Sequence, residues 1–145
     1  IARIHHAYAV ENPKKFKEYG PLVWGLTASD NPWGYAAQEP GAGDNGTVSP
    51  TAALSSMPYV PALAQATLKH FYHQYGSRLW GEFGFRDAFN PGQNWFAESY
   101  IGIDQGPIAV MMENHRSQLC WRLFMANPEI EPALKAMGWV RRPAR

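Results

Sequence analysis

Residues 100–126 restrict the possible fold of this chain more than any other stretch. Gly106-Pro107 favours a helix start, since a proline at the first helical position gives up only an N–H group that would have no partner. Nothing from Pro107 to Ala126 breaks the helix, and Asn127-Pro128 ends it, because the residue before a proline is driven out of the α region. The sequence therefore predicts a helix about 30 Å long.

Apolar residues lie almost all round this predicted helix. The segments PIAVMM and LCWRLFM are typical of a helix that is buried on most sides, and a polar segment from Glu113 to Gln118 separates them. Asp104 comes just before the helix, at the end where backbone N–H groups and the macrodipole favour a negative charge. We therefore expect a buried helix with a functional carboxylate at its N-terminal end.

Composition and charge disfavour several classes of protein. The net charge is +1 and no basic run is present, which argues against a nucleic-acid partner. The predicted helix carries Glu113, Arg116 and Arg122, which makes a membrane span too costly. Cys120 is the one cysteine, so no intrachain disulfide can form, and its apolar surroundings predict a buried structural thiol.

The histidines do not predict a metal site. His5 and His6 are adjacent and point to different sides, whereas a structural site needs three or four ligands. His70 and His73 are three residues apart on a predicted helix, but no third ligand is in view. We predict neither a metal nor a cofactor.

Helix signals and long aromatic loops alternate along the chain, and no segment predicts a central sheet. The predicted fold class is all-α. Besides 107–126, helices are predicted after Asn12 with Pro13 at the first position, from Ser49-Pro50 to Met57, over Ala62–Tyr75 with Gly76 as its C-terminal cap, and over 129–138. Residues 1–11 fit a strand or a helix equally well. Arg141 to Arg145 are predicted to be a solvated tail.

The first long loop, Leu22–Ser49, has neither helical nor strand periodicity, and a loop of this length is usually functional or disordered. Its aromatic content argues against disorder. One interpretation is a wall for a sugar, in which flat rings face the pyranose and short polar groups bind hydroxyls. The other is a packed loop whose rings fill gaps. The residues concerned are Trp24, Thr27, Ser29, Asp30, Trp33 and Tyr35.

Four ordered blocks of the sequence resemble the bacterial glucoamylase-like (glycoamylase) domain, a group that includes endo-β-1,2-glucanases. The blocks are WGLTASD (24–30), DNGTVSPTAALSSMPY (44–59), LWGEFGFRDAFNP (79–91) and YIGIDQGPIAVMMENHRSQLCWRLFMANP (100–128). The resemblance implies an (α/α)6 toroid with a sugar cleft at its centre. It also implies that residues 1–145 form a single partial domain, roughly the C-terminal third of such a catalytic domain, whose N-terminal remainder is a partner.

Glycoside hydrolysis needs two carboxyl groups across the scissile bond, and they are further apart in inverting than in retaining enzymes. Asp104 matches the GIDQGP block, and we assign it the charged role of a base that activates water. Asp30 is the second candidate, as a catalytic group or as a ligand of sugar hydroxyls. Glu113 is the third, although an ion pair with Arg116 explains it equally well. The proton donor is expected in the N-terminal part.

The predicted sugar contacts combine the first loop with the later blocks. They are Trp24, Thr27, Ser29, Trp33, Tyr35, Phe89, Asn90, Tyr100 and Gln105. Arg86-Asp87, in the second aromatic loop over Ser77–Ser99, is interpreted as a local ion pair.

The function implied is hydrolysis of a β-glucan, by endo-action on β-1,2 linkages with inversion. The alternatives are a domain that binds a glucan without cutting it and a transglycosylating relative of the kind found in cyclic glucan synthases. Such glucans are periplasmic or extracellular, and we expect the same location for the protein. Because the central helix is apolar on most sides, the 145 residues alone should expose large hydrophobic patches that a partner segment covers.

Overall fold

The fold is helix-rich, with small β-hairpins between the helices. The computed structural model describes residues 1–140. Within that range the helices are α1 (Ala2–Glu11), α2 (Pro50–Leu54), α3 (Pro61–Leu79), α4 (Gly102–Ser117), α5 (Leu119–Met125) and α6 (Ile130–Ala136). The helices predicted after Ser49 and over 62–75 and 129–138 are confirmed, with shifted ends. The predicted tail, Arg141 to Arg145, lies outside the described residues.

Three antiparallel hairpins occupy the segments that were predicted to be irregular loops. They pair β1 (Ser29–Asn31) with β2 (Gly34–Ala36), β3 (Trp80–Gly81) with β4 (Gly84–Phe85), and β5 (Phe89–Asn90) with β6 (Trp95–Phe96). Strands of two or three residues are too short to show a period in sequence, which is why they were missed. The helix-rich class is confirmed, and the three short hairpins add a minor β component to it.

Aromatic residues from these hairpins build the core together with α3. Phe71 on α3 is fully buried, and its ring meets those of Phe85 and Phe89 edge-on, with ring centroids 6.4 and 5.2 Å apart. Phe89 also stacks on Phe96 across its own hairpin at 5.7 Å. Edge-to-face and offset pairs of this kind add to the free energy gained by burying the rings. The second aromatic loop is therefore fixed to α3.

The helix predicted over 107–126 is in fact two helices. Helix α4 begins at Gly102, so that Pro107 lies inside it, and it ends at Ser117. Gln118 then adopts the left-handed conformation (φ 58°) and separates α4 from α5. The side chain of Asn114 holds the junction, since its Oδ1 accepts hydrogen bonds from the N–H groups of Cys120 and Trp121 at 2.9 and 3.2 Å. No proline or glycine marks this break, so the sequence pattern did not show it.

Two other local predictions, those at Asn12 and Gly76, are wrong. Residues 1–11, which the sequence left open, are helical. Asn12 is the left-handed C-cap of this helix, α1, rather than the start of a new helix. Its side chain exchanges two 2.8 Å hydrogen bonds with the backbone of Phe16, which favours a turn after α1. Gly76 lies within α3, which runs on to Leu79.

The α4–α5 pair is far less buried in the described chain than its apolar pattern predicts. On α4 only Asp104, Ile108 and Asn114 are buried, and α5 has no buried residue. Leu123 and Phe124 are 66% and 60% exposed, so the predicted hydrophobic patch is present on residues 1–140. Its covering by another polypeptide segment stays a prediction. None of the described helices is long and apolar enough to cross a membrane.

Candidate active site

Three aspartates from different parts of the chain meet beside the N-terminal end of α4. Asp30 comes from β1, Asp87 from the turn between β4 and β5, and Asp104 from the first turn of α4. The N–H of Asp30 donates to Oδ2 of Asp87 at 2.7 Å, and Asp87 also interacts with the carboxyl of Asp104. We call Asp30, Asp87 and Asp104 the aspartate cluster.

Asp87 is the most tightly held member of the cluster. Its side chain is fully buried. Its N–H donates to the carbonyl of Ser99 at 3.1 Å, and its carbonyl accepts from Oγ of Ser49 at 2.8 Å. Because both main-chain groups and one carboxyl oxygen are bound, the position of the second oxygen, Oδ1, is also fixed.

Asp104 combines burial with access to a cleft. Only 7% of the residue is exposed, and its Oδ2 has no hydrogen-bond partner among residues 1–140. Its N–H donates to the carbonyl of Ile101 at 2.9 Å, and the first turn of α4 offers the helix end that favours a negative charge. The position at a helix N-terminus is confirmed, although Asp104 lies within the helix and not ahead of it.

Asp30 is half-buried and links the cluster to the loop before α4. Oγ of Ser99 donates to Oδ2 of Asp30 in a short hydrogen bond. Since Ser99 also binds the main chain of Asp87, one residue fixes two aspartates. Asp30 and Asp104, the first two carboxylate candidates from the sequence, therefore both interact with Asp87.

Burial and neighbouring carboxyls raise the proton affinity of Asp87. Burial, together with hydrogen bonding to Asp104 and the charges of Asp104 and Asp30, raises the pKa of Asp87 to about 7. The N–H of Asp30 acts in the opposite direction and lowers it. A carboxyl in this environment retains a proton at a pH where ordinary aspartates are ionised.

A cleft of about 420 Å³ lies next to Asp104. Its walls combine apolar and hydroxyl-bearing residues, and they include Thr27 and Tyr35 from the predicted sugar wall together with His5 of α1. Nδ1 of His5 accepts the N–H of Leu26 at 3.4 Å, which joins α1 to the segment before β1. Burial and the positive N-terminus lower the pKa of His5, which favours its neutral form. A carboxylate beside hydroxyl groups and rings suits a polyhydroxylated ligand.

The β1–β2 hairpin presents two exposed rings near the cluster. Tyr35 lies opposite Asp30 in the hairpin register, and it is 57% exposed. Desolvation and the charges of Asp104, Asp87 and Asp30 raise the pKa of Tyr35. Trp33, in the turn of the same hairpin, is 66% exposed. Both rings are therefore free to contact a ligand, as the sugar-wall interpretation requires.

Four predicted sugar contacts are structural instead. Trp24 is 1% exposed, and its Nε1 donates to Oγ1 of Thr67 at 2.7 Å. Phe89 lies in the aromatic core, and Ser29 is buried with its Oγ bound to the carbonyl of Asp30. The buried amide of Asn90 binds Oγ1 of Thr47 and the carbonyl of Asn45 at 3.1 and 3.2 Å. These side chains are unavailable to a ligand because burial or hydrogen bonding already occupies them, so the packed-loop interpretation holds for Trp24 and Ser29 of the first loop.

Tyr100 and Gln105 lie away from the cleft lining. The ring of Tyr100 packs edge-on against Phe83 with centroids 5.4 Å apart, and the guanidinium of Arg86 lies 5.5 Å from it. Gln105 borders an apolar cavity of about 390 Å³ whose other lining residues include Trp80 and Ile108. The predicted Arg86–Asp87 ion pair is wrong, since Arg86 donates to the carbonyl of Glu98 at 2.8 Å.

Glu113 forms the ion pair that was the alternative to a catalytic role. Its two oxygens accept hydrogen bonds from Nε and Nη2 of Arg116 at 2.9 and 3.0 Å, and Oγ of Ser117 also donates to it. The hydrogen bond to Arg116 lowers the pKa of Glu113. Nine residues after Asp104 on one helix, it lies about 13 Å further along the axis. A catalytic role for Glu113 is therefore not supported.

Glu113→Gln should leave hydrolysis within about threefold of wild type, whereas loss of a general acid or base costs about 10²- to 10⁴-fold. The reason is that the amide keeps one acceptor oxygen for Arg116, and the residue is distant from the aspartate cluster. Initial rates of reducing-end release on a β-1,2-glucan would measure this. A loss of more than about a hundredfold with an intact fold would restore Glu113 as a catalytic candidate.

Asp87 is the one member of the aspartate cluster that no sequence pattern indicated as a site residue. Its neighbour Arg86 suggested a local pair, and nothing in the spacing of Asp30, Asp87 and Asp104 predicts that they meet. The one usable signal was its position inside the block LWGEFGFRDAFNP, between two strands too short to be predicted. Among residues 1–140, no group of three or more His, Cys, Asp or Glu side chains has the geometry to hold a metal ion.

The Glycoamylase family model matches residues 1–128 of the chain. Among curated proteins, the exo β-1,2-glucooligosaccharide sophorohydrolase (non-reducing end) of Parabacteroides distasonis is 46% identical over 142 residues. That match covers 97% of this chain and 20% of the relative, so the chain spans about a fifth of that protein's length.

Solved structures agree with this match. The endo-β-1,2-glucanase from Chitinophaga pinensis, solved with sophorotriose and glucose, is 50% identical with a TM-score of 0.90, over 92% of this chain and 32% of that one. The β-1,2-glucanase from Parabacteroides distasonis is 47% identical with a TM-score of 0.89, over 92% of this chain and 19% of that one. The arrangement of helices and hairpins described above is therefore shared with these proteins.

Proposed function

Because this chain belongs to the Glycoamylase family, we propose that it supplies part of the active site of an enzyme that hydrolyses β-1,2-glucans. The observation that carries the proposal is the aspartate cluster beside a cleft, in which Asp104 combines an unpartnered carboxyl oxygen with a place in the cleft wall. The relatives named above, two β-1,2-glucanases and a β-1,2-glucooligosaccharide sophorohydrolase, give the substrate class.

The proposed reaction is hydrolysis with inversion. Asp104, as a carboxylate, accepts a proton from a water molecule whose oxygen then bonds to the anomeric carbon. The glycosidic C–O bond breaks on the opposite side of the ring, and a separate acid protonates the departing oxygen. Asp30 fixes the geometry of the cluster through its N–H and its bond to Ser99.

The proton donor and the rest of the cleft are proposed to come from the part of the protein that precedes this chain in its relatives. A single chain would then close an (α/α)6 toroid around the glucan. The apolar surface of α5, with Leu123 and Phe124 exposed, is the surface that such a partner segment would cover. We further propose a periplasmic or extracellular location, which fractionation of the producing cells would test.

The proposal predicts that the whole protein releases new reducing ends from linear β-1,2-glucan. Endo-action should give oligosaccharides of many lengths from the first minutes, because the chain is cut at internal bonds. Chromatography of early products and polarimetry of the newly formed anomer would measure both features. Cyclic products would instead indicate transglycosylation. Quenching of tryptophan fluorescence by glucan with no reducing ends after long incubation would show a binding protein and refute the proposal.

A further inference from the structure

Within the described residues 1–140, two carboxyl oxygens of the aspartate cluster are buried without any donor. They are Oδ1 of Asp87, in a residue with no exposed surface, and Oδ2 of Asp104, in a residue that is 7% exposed. An isolated buried carboxylate is strongly destabilising. Two carboxylates in contact cannot both be ionised at neutral pH, so one of them retains a proton. The two carboxyls interact with each other, and a single proton between them would supply the missing hydrogen bond.

The surroundings decide which residue holds this proton. Asp87 is enclosed by the chain, and no cation is among its hydrogen-bond partners within residues 1–140. Asp104 lines the cleft and lies in the first turn of α4, where the helix end stabilises a negative charge. The proton therefore belongs to Asp87.

We propose that Asp87 is a positioning residue, whose protonated carboxyl donates a hydrogen bond to Asp104 and so holds the carboxyl group of Asp104 fixed at the cleft wall. This role rests on the proposed function, since it assigns how Asp104 is kept ready to accept a proton from water. Asp87 itself is too enclosed to touch a substrate. It acts on the reaction only through Asp104.

The groups around Asp87 determine the pH range in which this hydrogen bond exists. From β1 it faces Asp30, from α4 it faces Asp104, and Tyr35 of β2 lies near all three carboxyls. Ser49 and Ser99, which bind its main chain, do not titrate. Arg86, the preceding residue in the chain, points away to Glu98 and the ring of Tyr100.

The pKa of Asp87, raised to about 7 by burial and by its acidic neighbours, sets the upper limit of that range. Above it, Asp87 becomes a second carboxylate, loses its donor hydrogen and repels Asp104. Activity should therefore fall on the alkaline side as this proton leaves.

Asp87→Asn in the whole protein is the direct test. Asparagine keeps an acceptor oxygen for the N–H of Asp30 and carries an amide N–H that can donate to Asp104 at every pH. We expect kcat on β-1,2-glucan at about pH 6 to fall less than about tenfold, and the alkaline fall of kcat/KM to move up by at least about one pH unit. Asp87→Ala, which has no donor, should lower kcat more than tenfold already at about pH 6, and because it also lacks the titrating carboxyl its alkaline fall should move up as well.

Asp44→Asn is the matched control. Asp44 is also buried (4% exposed), and it accepts hydrogen bonds from Tyr19 and from the N–H of Gly46 at 2.8 and 2.9 Å, away from the cleft. Its replacement introduces an equivalent buried amide outside the aspartate cluster. The fall of kcat/KM at alkaline pH should occur at the same pH in Asp44→Asn as in the wild type.

A spectroscopic measurement separates this inference from the proposed function. Infrared difference spectra of wild type minus Asp87→Asn should show the C=O stretch of a protonated carboxyl at about pH 6, and this band should be lost by about pH 9. It needs no substrate, so a protein that binds glucan without hydrolysis would still show it. Absence of the band at about pH 6 would overturn the inference, as would an alkaline limb unchanged by Asp87→Asn.

Discussion

Asp104→Asn is expected to abolish hydrolysis of β-1,2-glucan by the whole protein, with a loss of at least about 10²- to 10⁴-fold in kcat. An amide cannot accept the proton of the attacking water, so this substitution removes the proposed base and little else. The asparagine has the same shape, and the N–H of residue 104 still binds the carbonyl of Ile101. The fold should therefore survive, and KM should change far less than kcat. Initial rates across substrate concentrations would measure both.

The pH dependence of stability gives this variant an independent check. In the wild type the folded-state pKa of Asp87 is raised to about 7 from 3.8, so between these values the folded protein binds more protons than the unfolded chain. The contribution of Asp87 to the free energy of unfolding then falls as pH rises from about 4 to about 7. Without the charge of Asp104 the pKa of Asp87 is less raised, and this fall should be smaller in Asp104→Asn. Denaturant unfolding at several pH values would measure it.

Near wild-type turnover in Asp104→Asn would refute the assignment of the base. An inactive variant with an altered circular dichroism spectrum would show a folding defect and would not support it. Glu113→Gln, on the same helix, is the matched comparison, because it also replaces one carboxylate of α4 by an amide but lies outside the aspartate cluster. Only a contrast between the two variants places the chemistry at the N-terminal end of α4.

The parts of the fold that local chemistry specifies could be predicted from the sequence. Pro50 after Ser49 begins α2, as its fixed φ favours. Asp104 was found because a carboxylate next to a helix start is a local feature, and it lies in the first turn of α4. Boundaries were less certain. Pro107 suggested a start that lies five residues after the observed one.

Features that depend on long-range packing could not be predicted. Asp87 meets Asp30 across 57 positions of sequence, and only the folded hairpins bring the two together. The break at Gln118 depends on the buried amide of Asn114, whose hydrogen bonds reach six and seven residues ahead. The exposure of individual side chains could not be predicted either. Trp24 and Trp33 belong to one aromatic loop, yet Trp24 is buried and Trp33 is exposed.

These two tryptophans lead to the second large prediction. Trp24→Ala should lower the free energy of unfolding by about 3–5 kcal/mol, because it removes a fully enclosed ring and leaves a cavity. It also leaves the hydroxyl of Thr67 without its donor at a site that is closed to water. Equilibrium unfolding in denaturant, followed by circular dichroism, would measure the change. A loss below about 1 kcal/mol would contradict a structural role for Trp24.

Trp33→Ala is the matched control, since the same ring is removed from a position that is 66% exposed. Its free energy of unfolding should stay within about 0.5 kcal/mol of wild type. If this ring stacks on a pyranose, the Kd for a β-1,2-glucooligosaccharide should rise about two- to tenfold, since such contacts contribute about 0.5–1.5 kcal/mol. Titration calorimetry would test this. An unchanged Kd would show that Trp33 does not contact the sugar. The predicted sugar wall would then consist of Thr27 and Tyr35, which line the cleft together with Asp104.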